Sequence, residues 1–288
     1  MKKGRLVGHS AVRRRLALCG AALLLLTVVW LTVLFRIPEL LTVCVLDVGQ
    51  GDAVLVCCAG ETLLVDAGPN AAEYHLLAEL RAMGIRRLDA MVLTHPDEDH
   101  IGGADVILEA IPVEKIYLPA LEGEDETFSR FLEAVALSGA AISVAGAGER
   151  FELGAAEVHF LAPLSLQGAS NDSSAVLRIS CGKTAVLLMG DAEAAAEELL
   201  LQRYSAECLS ADLLKAGHHG ASTSTSDALL DAVSPRFVAV SCGYGNTFGH
   251  PARRVVDALA ARGIAVGRTD REGTLIYCSD GKRLWRKQ

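Results

Sequence analysis

The sequence predicts an α/β domain of two sheets with helices outside, preceded by one N-terminal transmembrane helix. Three observations carry this. After Pro38, short runs rich in β-branched residues alternate with helical stretches. Several runs, such as AVLLMG at 185–190 and FVAVSC at 237–242, are apolar almost throughout, as in strands covered on both faces. Ahead of them, LALCGAALLLLTVVWLTVLF at 16–35 contains no charge.

The N-terminal run comes first. About 20 apolar residues at 1.5 Å each span a bilayer core of about 30 Å. Arg13, Arg14 and Arg15 stand just before it, and basic residues favour the cytoplasmic side. The expectation is a basic cytoplasmic N-terminus (1–15), a single-pass anchor (16–36) and an extracytoplasmic domain (40–288). A cleaved signal peptide, which would release a secreted domain, is the alternative. The run is long for such a peptide, and no A-x-A site follows it.

Strands are then predicted at 42–48, 53–58 and 62–66, joined by the glycine turns Gly49-Gln50-Gly51 and Gly60 as hairpins. Further strands are expected at 88–94, 115–118, 157–161, 175–180, 184–189, 212–215, 236–241, 264–268 and 274–278. Helices at 71–83, 102–110, 126–138, 192–204, 226–233 and 251–262 separate the later strands and imply crossovers. No linker, low-complexity tract or internal repeat divides the region.

Composition narrows the function. With 288 residues, 51% hydrophobic and 22% charged, the chain is neither a disulfide-stapled miniprotein nor a disordered acidic tail. Net charge is −8, and seven of the 27 basic residues lie in the first 36 positions, where there is no acid. The rest carries 20 basic against 35 acidic residues, which excludes a passive polyanion-binding surface. Handling nucleic acid would need metal ions or a local basic patch, such as Arg253-Arg254 or the tail from Lys282 to Lys287. The eight cysteines form no C-x-x-C pair, which disfavours a cysteine zinc knuckle. Most sit in apolar runs and read as small buried side chains, although an oxidising exterior could pair some.

The sharpest motif is Thr94-His95-Pro96-Asp97-Glu98-Asp99-His100-Ile101-Gly102-Gly103. Four ligand-type side chains fall within six residues, between an apolar strand and a helix. In an extended segment His95, Asp97 and Asp99 project to one side, and the turn into the helix swings His100 around. Asp66 in LLVDAG, Asp191 in VLLMGD, His218 and His219 after ADLLKAG, and His250 in FGHP recur at strand ends beside glycine. One such strand end reads as a turn; four, together with the H-x-D-x-D-H run, read as one assembled site.

HPDEDHIGG resembles the H-x-H-x-D-H metal signature of the metallo-β-lactamase fold. With LDVGQGDAVLV, LLVDAGP, NDSSAVLRI, LLMGD and LKAGHHGASTSTS, in that order, the chain closely resembles the hydrolase domain of the ComEC family of competence proteins over about residues 42–278. In that family the domain is joined to a many-spanning channel and a small β-barrel domain, whereas this sequence shows one anchor. The resemblance implies a four-layer αββα fold with two divalent metal ions at the sheet edge. His95 and Asp97 would bind the first ion. Asp99, His100 and either His250 or His219 would bind the second, with Asp191 bridging. Asn171 fits a slot where other relatives have histidine. Asp47, Gln50 and Asp52 would shape the site from the first hairpin, and Asp66 would support the ligands. Ala221 stands where the family commonly has serine, a place Ser222 would take.

Asp97 in place of an imidazole supplies a hard anionic oxygen, so Mn²⁺ is expected over Zn²⁺, with Mg²⁺ also admissible. The expected reaction is hydrolysis of a phosphodiester, with nucleic acid, DNA first, as substrate and no protein partner deducible. Two ions would lower the pKa of a water and clamp the phosphate. Asp99 would orient or deprotonate that water. Lys215, His218 and His219 would neutralise the transition state or protonate the leaving oxygen, one of the two histidines facing the site while the other packs. The stretch from Ser222 to Thr225 would cap the following helix or hold a phosphate. A lactam-hydrolysing zinc enzyme is the rival, disfavoured by Asp97; a non-catalytic anchored binding module is the rival of another class.

Overall fold

The computed structural model describes residues 39–287 apart from 120–122, 124 and 165–170, and near the N-terminus only 14, 18–21, 24, 25 and 27. The chain divides into two units, Met1–Pro38 and Glu39–Gln288. In the first, the described residues are helical, and Leu18, Leu24 and Leu25 are exposed. Most of the expected anchor lies outside the described residues. Among those described, no helix is long and apolar enough to cross a membrane.

The second unit holds two sheets. The first has the order β15-β14-β1-β2-β3-β4-β5-β6, built from β1 (Leu41–Val45), β2 (Val54–Cys58), β3 (Glu61–Val65), β4 (Leu88–Val92), β5 (Val113–Leu118), β6 (Ala141–Val144), β14 (Leu275–Ser279) and β15 (Leu284–Arg286). β1 to β3 form an antiparallel meander. Its second turn, Ala59-Gly60, has φ of 50° and 95°, the positive pair that matches the twist of a two-residue hairpin. From β3 to β6 pairing is parallel.

The second sheet has the order β13-β12-β11-β10-β9-β8-β7, from β7 (Arg150–Leu153), β8 (Ala156–Ala162), β9 (Val176–Cys181), β10 (Thr184–Leu188), β11 (Leu213–Lys215), β12 (Phe237–Val240) and β13 (Ala265–Arg268). It too begins antiparallel and turns parallel from β10 onward. Strands β6, β7 and β15 were not expected from the sequence. β6 is exposed at three of four positions and β7 at two of four, and β15 is three residues long.

The two sheets meet through one apolar core that includes Val43, Val56, Leu63, Phe160, Leu177, Val186, Leu213 and Tyr277. Helices Glu73–Ala82, Ala104–Ala110 and Glu126–Ser138 bury Leu76, Leu80, Ile107 and Phe131 on the outer face of the first sheet. Helices Ala194–Arg203, Asp227–Val233 and Arg253–Ala261 bury Leu200, Leu230 and Leu259 on the second. Helix, sheet, sheet and helix thus stack in four layers, which explains the all-apolar strand runs. Strand β10, for example, is buried at all five positions.

Asp125 caps its helix by accepting from Phe128 N at 2.7 Å. Helix Asp227–Val233 is capped by Ser226, which accepts from Leu229 N at 3.1 Å. The cap therefore lies one residue past the stretch expected to supply it. Thr223 is instead directed to Glu193, and Ser224 to the Gly217 carbonyl. All eight cysteines are free thiols; five are buried, Cys57 is intermediate, and Cys19 and Cys208 are exposed.

Candidate metal centre

The chain delivers its polar side chains at the C-terminal ends of strands from both sheets, where backbone pairing stops and ligand-type groups can converge. β3 leads to Asp66, β4 to His95, β10 to Asp191, and β11 to His218 and His219. His95, His100, Asp191 and His219 are all buried.

The ring tautomers follow from the hydrogen bonds. Thr94 Oγ1 donates its one proton to Asp66 Oδ2 at 2.8 Å. It therefore accepts from His95 Nδ1 at 3.1 Å, which leaves the His95 Nε2 lone pair free. His100 Nδ1 donates to Asp66 Oδ2 at 2.8 Å. His219 Nδ1 donates to the Ser241 carbonyl at 3.0 Å, and His218 Nδ1 to Glu193 Oε1 at 2.6 Å. Each ring spends its Nδ1 proton on a supporting acceptor and turns Nε2 toward Asp191, the way ligating histidines are oriented.

The Nε2 atoms of His100, His219, His218 and His95 lie 3.1, 3.4, 3.7 and 4.0 Å from Asp191 carboxylate oxygens. Ligand atoms about 2.0–2.2 Å from one ion stand about 3–3.6 Å apart, so these spacings suit shared coordination. The ligand atoms of Asp99, His100, Asp191 and His219 all fall within 4.8 Å of one another. His95 Nε2 is also 3.7 Å from Asp97 Oδ2. Among the described residues, His95 Nε2, His100 Nε2 and Asp191 Oδ1 are buried without a hydrogen-bond partner. Orphaned donor atoms of this kind, aimed at one another, fit a divalent cation.

Electrostatics points the same way. Burial disfavours an imidazolium at His100, yet Asp191 and Asp66 outweigh it and hold this histidine well above its usual range. At His219, Asp191 and Asp52 outweigh burial in the same manner. Burial, reinforced by His100, pushes His95 down to about 3, which keeps that imidazole neutral. The carboxylates thus create a demand for positive charge that a proton or a metal ion meets.

A second acidic group, Asp52, Asp66 and His100, is largely paired within the protein, although Asp52 Oδ1 has no hydrogen-bond partner. Asp66 accepts from Thr94 N, Thr94 Oγ1 and His100 Nδ1. Asp52 accepts from Lys215 Nζ. Burial would raise the Asp52 pKa, but Lys215 and His219 hold it well below the carboxylate range.

Several expected roles change. Lys215 is 1% exposed and also donates to the Gly190 carbonyl at 3.2 Å, so its ammonium neutralises Asp52 and is closed to a substrate. Asp47 folds back on its own turn, accepting from Gly49 N at 3.2 Å, and Gln50 Oε1 ties that turn to Gly243 N at 3.1 Å. Ser222 is exposed, and its carbonyl accepts from Arg254. His250 is half-buried and its ring stands 5.4 Å from that of His218, while His219 is the histidine that joins Asp99, its Nε2 being 3.1 Å from Asp99 Oδ2. Both His218 and His219 face Asp191, where the sequence expected only one to do so. Asn171 Nδ2 lies 3.4 Å from His218 Nδ1.

Sequence reasoning missed Glu193, which orients His218, and Thr94 and Ser241, which orient His95 and His219. It also missed Asp172, which holds the start of helix Ala194–Arg203 by accepting from Glu193 N and Ala196 N. Glu193 had a visible signal, since it follows the Gly190-Asp191 strand end by two residues.

Residues 46–244 match the Metallo-beta-lactamase superfamily. The chain belongs to the metallo-beta-lactamase superfamily. Within that superfamily it is similar to ComE operon protein 3 of Bacillus subtilis, 32% identical over 251 residues, covering 81% of this chain and 32% of the relative. It is 36% identical over 237 residues to competence protein ComA of Neisseria gonorrhoeae, covering 82% and 32%. These relatives belong to the ComEC family of competence proteins, and the chain spans about a third of the length of each. Among solved structures, the metallo-beta-lactamase fold protein YhfI of Bacillus subtilis aligns with a TM-score of 0.56 at 16% identity, covering 83% of this chain and 99% of that one. Zn(2+)-bound PqqB of Methylobacterium extorquens aligns with a TM-score of 0.54 at 16% identity, covering 82% and 99%.

Proposed function

We propose that the protein is a membrane-anchored, Mn²⁺-preferring phosphodiesterase that hydrolyses DNA. The observation that carries this is the set of four histidines whose Nδ1 protons are all spent outward and whose Nε2 atoms all face Asp191. His95, Asp97, Asp191 and His218 would hold one divalent ion, and Asp99, His100, Asp191 and His219 the other. Divalent ions bound there supply the charge that offsets a phosphodiester and lower the pKa of water.

The chain's own groups do the rest. Asp97 and Asp99 are the cluster's most open carboxylates, with side chains 45% and 30% exposed. Asp99, which also meets His219 Nε2 at 3.1 Å, is the group that orients the attacking water and takes its proton. His250, at the rim beside His218, donates to a phosphate oxygen. Three aspartates among the ligands favour a hard cation over zinc. Similarity to competence proteins supports DNA as the substrate and a part in DNA uptake. The basic triplet Arg13-Arg14-Arg15 and the uncharged run after it support an anchor with the hydrolase domain outside the cytoplasm.

The test is turnover by the full chain with Mn²⁺, Mg²⁺ or Zn²⁺ on DNA, RNA, bis-(p-nitrophenyl) phosphate and a lactam. Mn²⁺-dependent cleavage of DNA that vanishes in Asp191→Ala is the expected result. Turnover confined to the lactam with zinc, or unchanged by Asp191→Ala, overturns the reading.

A further inference from the structure

We infer that the loop from Gly243 to His250 is a stacking platform that binds unpaired bases of a single strand at the rim of the metal centre. This rests on the phosphodiesterase reading and names its substrate class. Two aromatic side chains on this loop stand in solvent: Tyr244 is 91% exposed and Phe248 68% exposed. Aromatic rings carry large apolar faces that are normally covered. Here the exposure is held by design of the loop, not by looseness. Asn246 accepts from His250 N at 2.9 Å and donates to the carbonyls of His250 and Gly243 at 2.7 and 3.0 Å. One side chain thus closes both ends of the loop. Gly243, in turn, is bound by Gln50 Oε1, and a Cβ there would press on the Gln50 backbone N at 2.9 Å.

The Phe248 ring is also in line with the chemistry. Phe248 stacks on His250 at 5.7 Å and 25°, and His250 stacks on His219 at 6.2 Å and 28°. A tilted stack therefore runs from the carboxylate cluster out to solvent and ends in the open face of Phe248. Arg253, with a side chain 93% exposed, lies three residues beyond His250 and places a guanidinium there, with Asp257 Oδ2 3.4 Å from its Nε. Aromatic faces beside a cation are how single strands are held without base-specific hydrogen bonds. Paired bases inside a duplex keep their faces covered and cannot use such a platform.

The experiment measures equilibrium binding by fluorescence anisotropy, on the full chain without added metal, of labelled oligothymidylate and of an abasic strand with the same number of phosphates. The expected result is tighter binding of the base-bearing strand by wild type. Tyr244→Ala/Phe248→Ala should weaken that binding by roughly 5- to 150-fold, leave the abasic strand unchanged, and be rescued at position 248 by Phe248→Trp. Equal affinity of wild type for the two strands, or no loss in the double variant, overturns the platform. Base-dependent binding without any Mn²⁺-supported cleavage would sink the phosphodiesterase reading alone and leave the platform standing.

Discussion

Oδ2 of Asp66 accepts a hydrogen bond from Nδ1 of His100 at 2.8 Å, across 34 residues of sequence. The same carboxylate takes both the backbone N and the hydroxyl of Thr94, and through that hydroxyl it also orders His95. One buried acid at the end of β3 thereby aims two imidazoles. Asp66→Asn should fold but bind Mn²⁺ about 10–100-fold more weakly. Calorimetric titration with Mn²⁺ checks this, and an unchanged Kd would show that the two rings are aimed by packing alone.

Asp191 stands between the ligand groups and contacts four imidazoles. On the proposed assignment Asp191 is a ligand common to both positions, so Asp191→Ala should lose bound manganese as well as hydrolysis. Metal content by elemental analysis separates this outcome from a purely catalytic defect, in which the ions would remain.

Lys215 is a structural cation. Lys215→Met leaves Asp52 charged, buried and beside Asp66 and Asp191, and should destabilise the fold by about 3–5 kcal/mol. Adding Asp52→Asn should recover much of that loss, since no uncompensated charge then remains. Urea unfolding of the two variants decides the matter; equal stabilities would mean the pair is not coupled.

Chelation should lower the unfolding temperature, because carboxylates gathered around Asp191 repel one another when no cation is present. Restoring Mn²⁺ at about 100 times its Kd should return about 2.7 kcal/mol. Calorimetric scans with chelator, Mn²⁺ and Zn²⁺ measure the effect, and a melting temperature indifferent to all three counts against metal binding.

Gly51 lies at φ 138°, and a Cβ there would press on the Asp99 carbonyl and on Pro69. Gly51→Ala should shift Asp99 and depress kcat on a phosphodiester while the hairpin around it persists. Kinetics together with far-ultraviolet circular dichroism test the split.

The fold was legible wherever burial imposed a pattern. Strands such as β10 and β12 are sandwiched between layers and must be apolar, so their sequences announce them. β6 (AISV) and β7 (RFEL) lie at sheet edges, where solvent accepts any side chain, and no pattern forms. In the site, the run from His95 to His100 was readable because one strand end and one turn supply all of it. The choice between His219 and His250 was not. His218 and His219 both adopt left-handed backbone, with φ of 44° and 54°, which turns two adjacent rings toward the same carboxylate in a way that periodicity cannot foresee. Ser241 acts only through its carbonyl, which accepts from His219 22 residues away, and nothing local marks it.

His95, Asp99 and His100 arrive with the sheet that opens the domain, while Asp191, His218 and His219 arrive with the sheet that follows. Neither sheet by itself carries all the donors of the cluster around Asp191. The candidate metal centre is thus a property of the seam, complete only when the two halves close on each other.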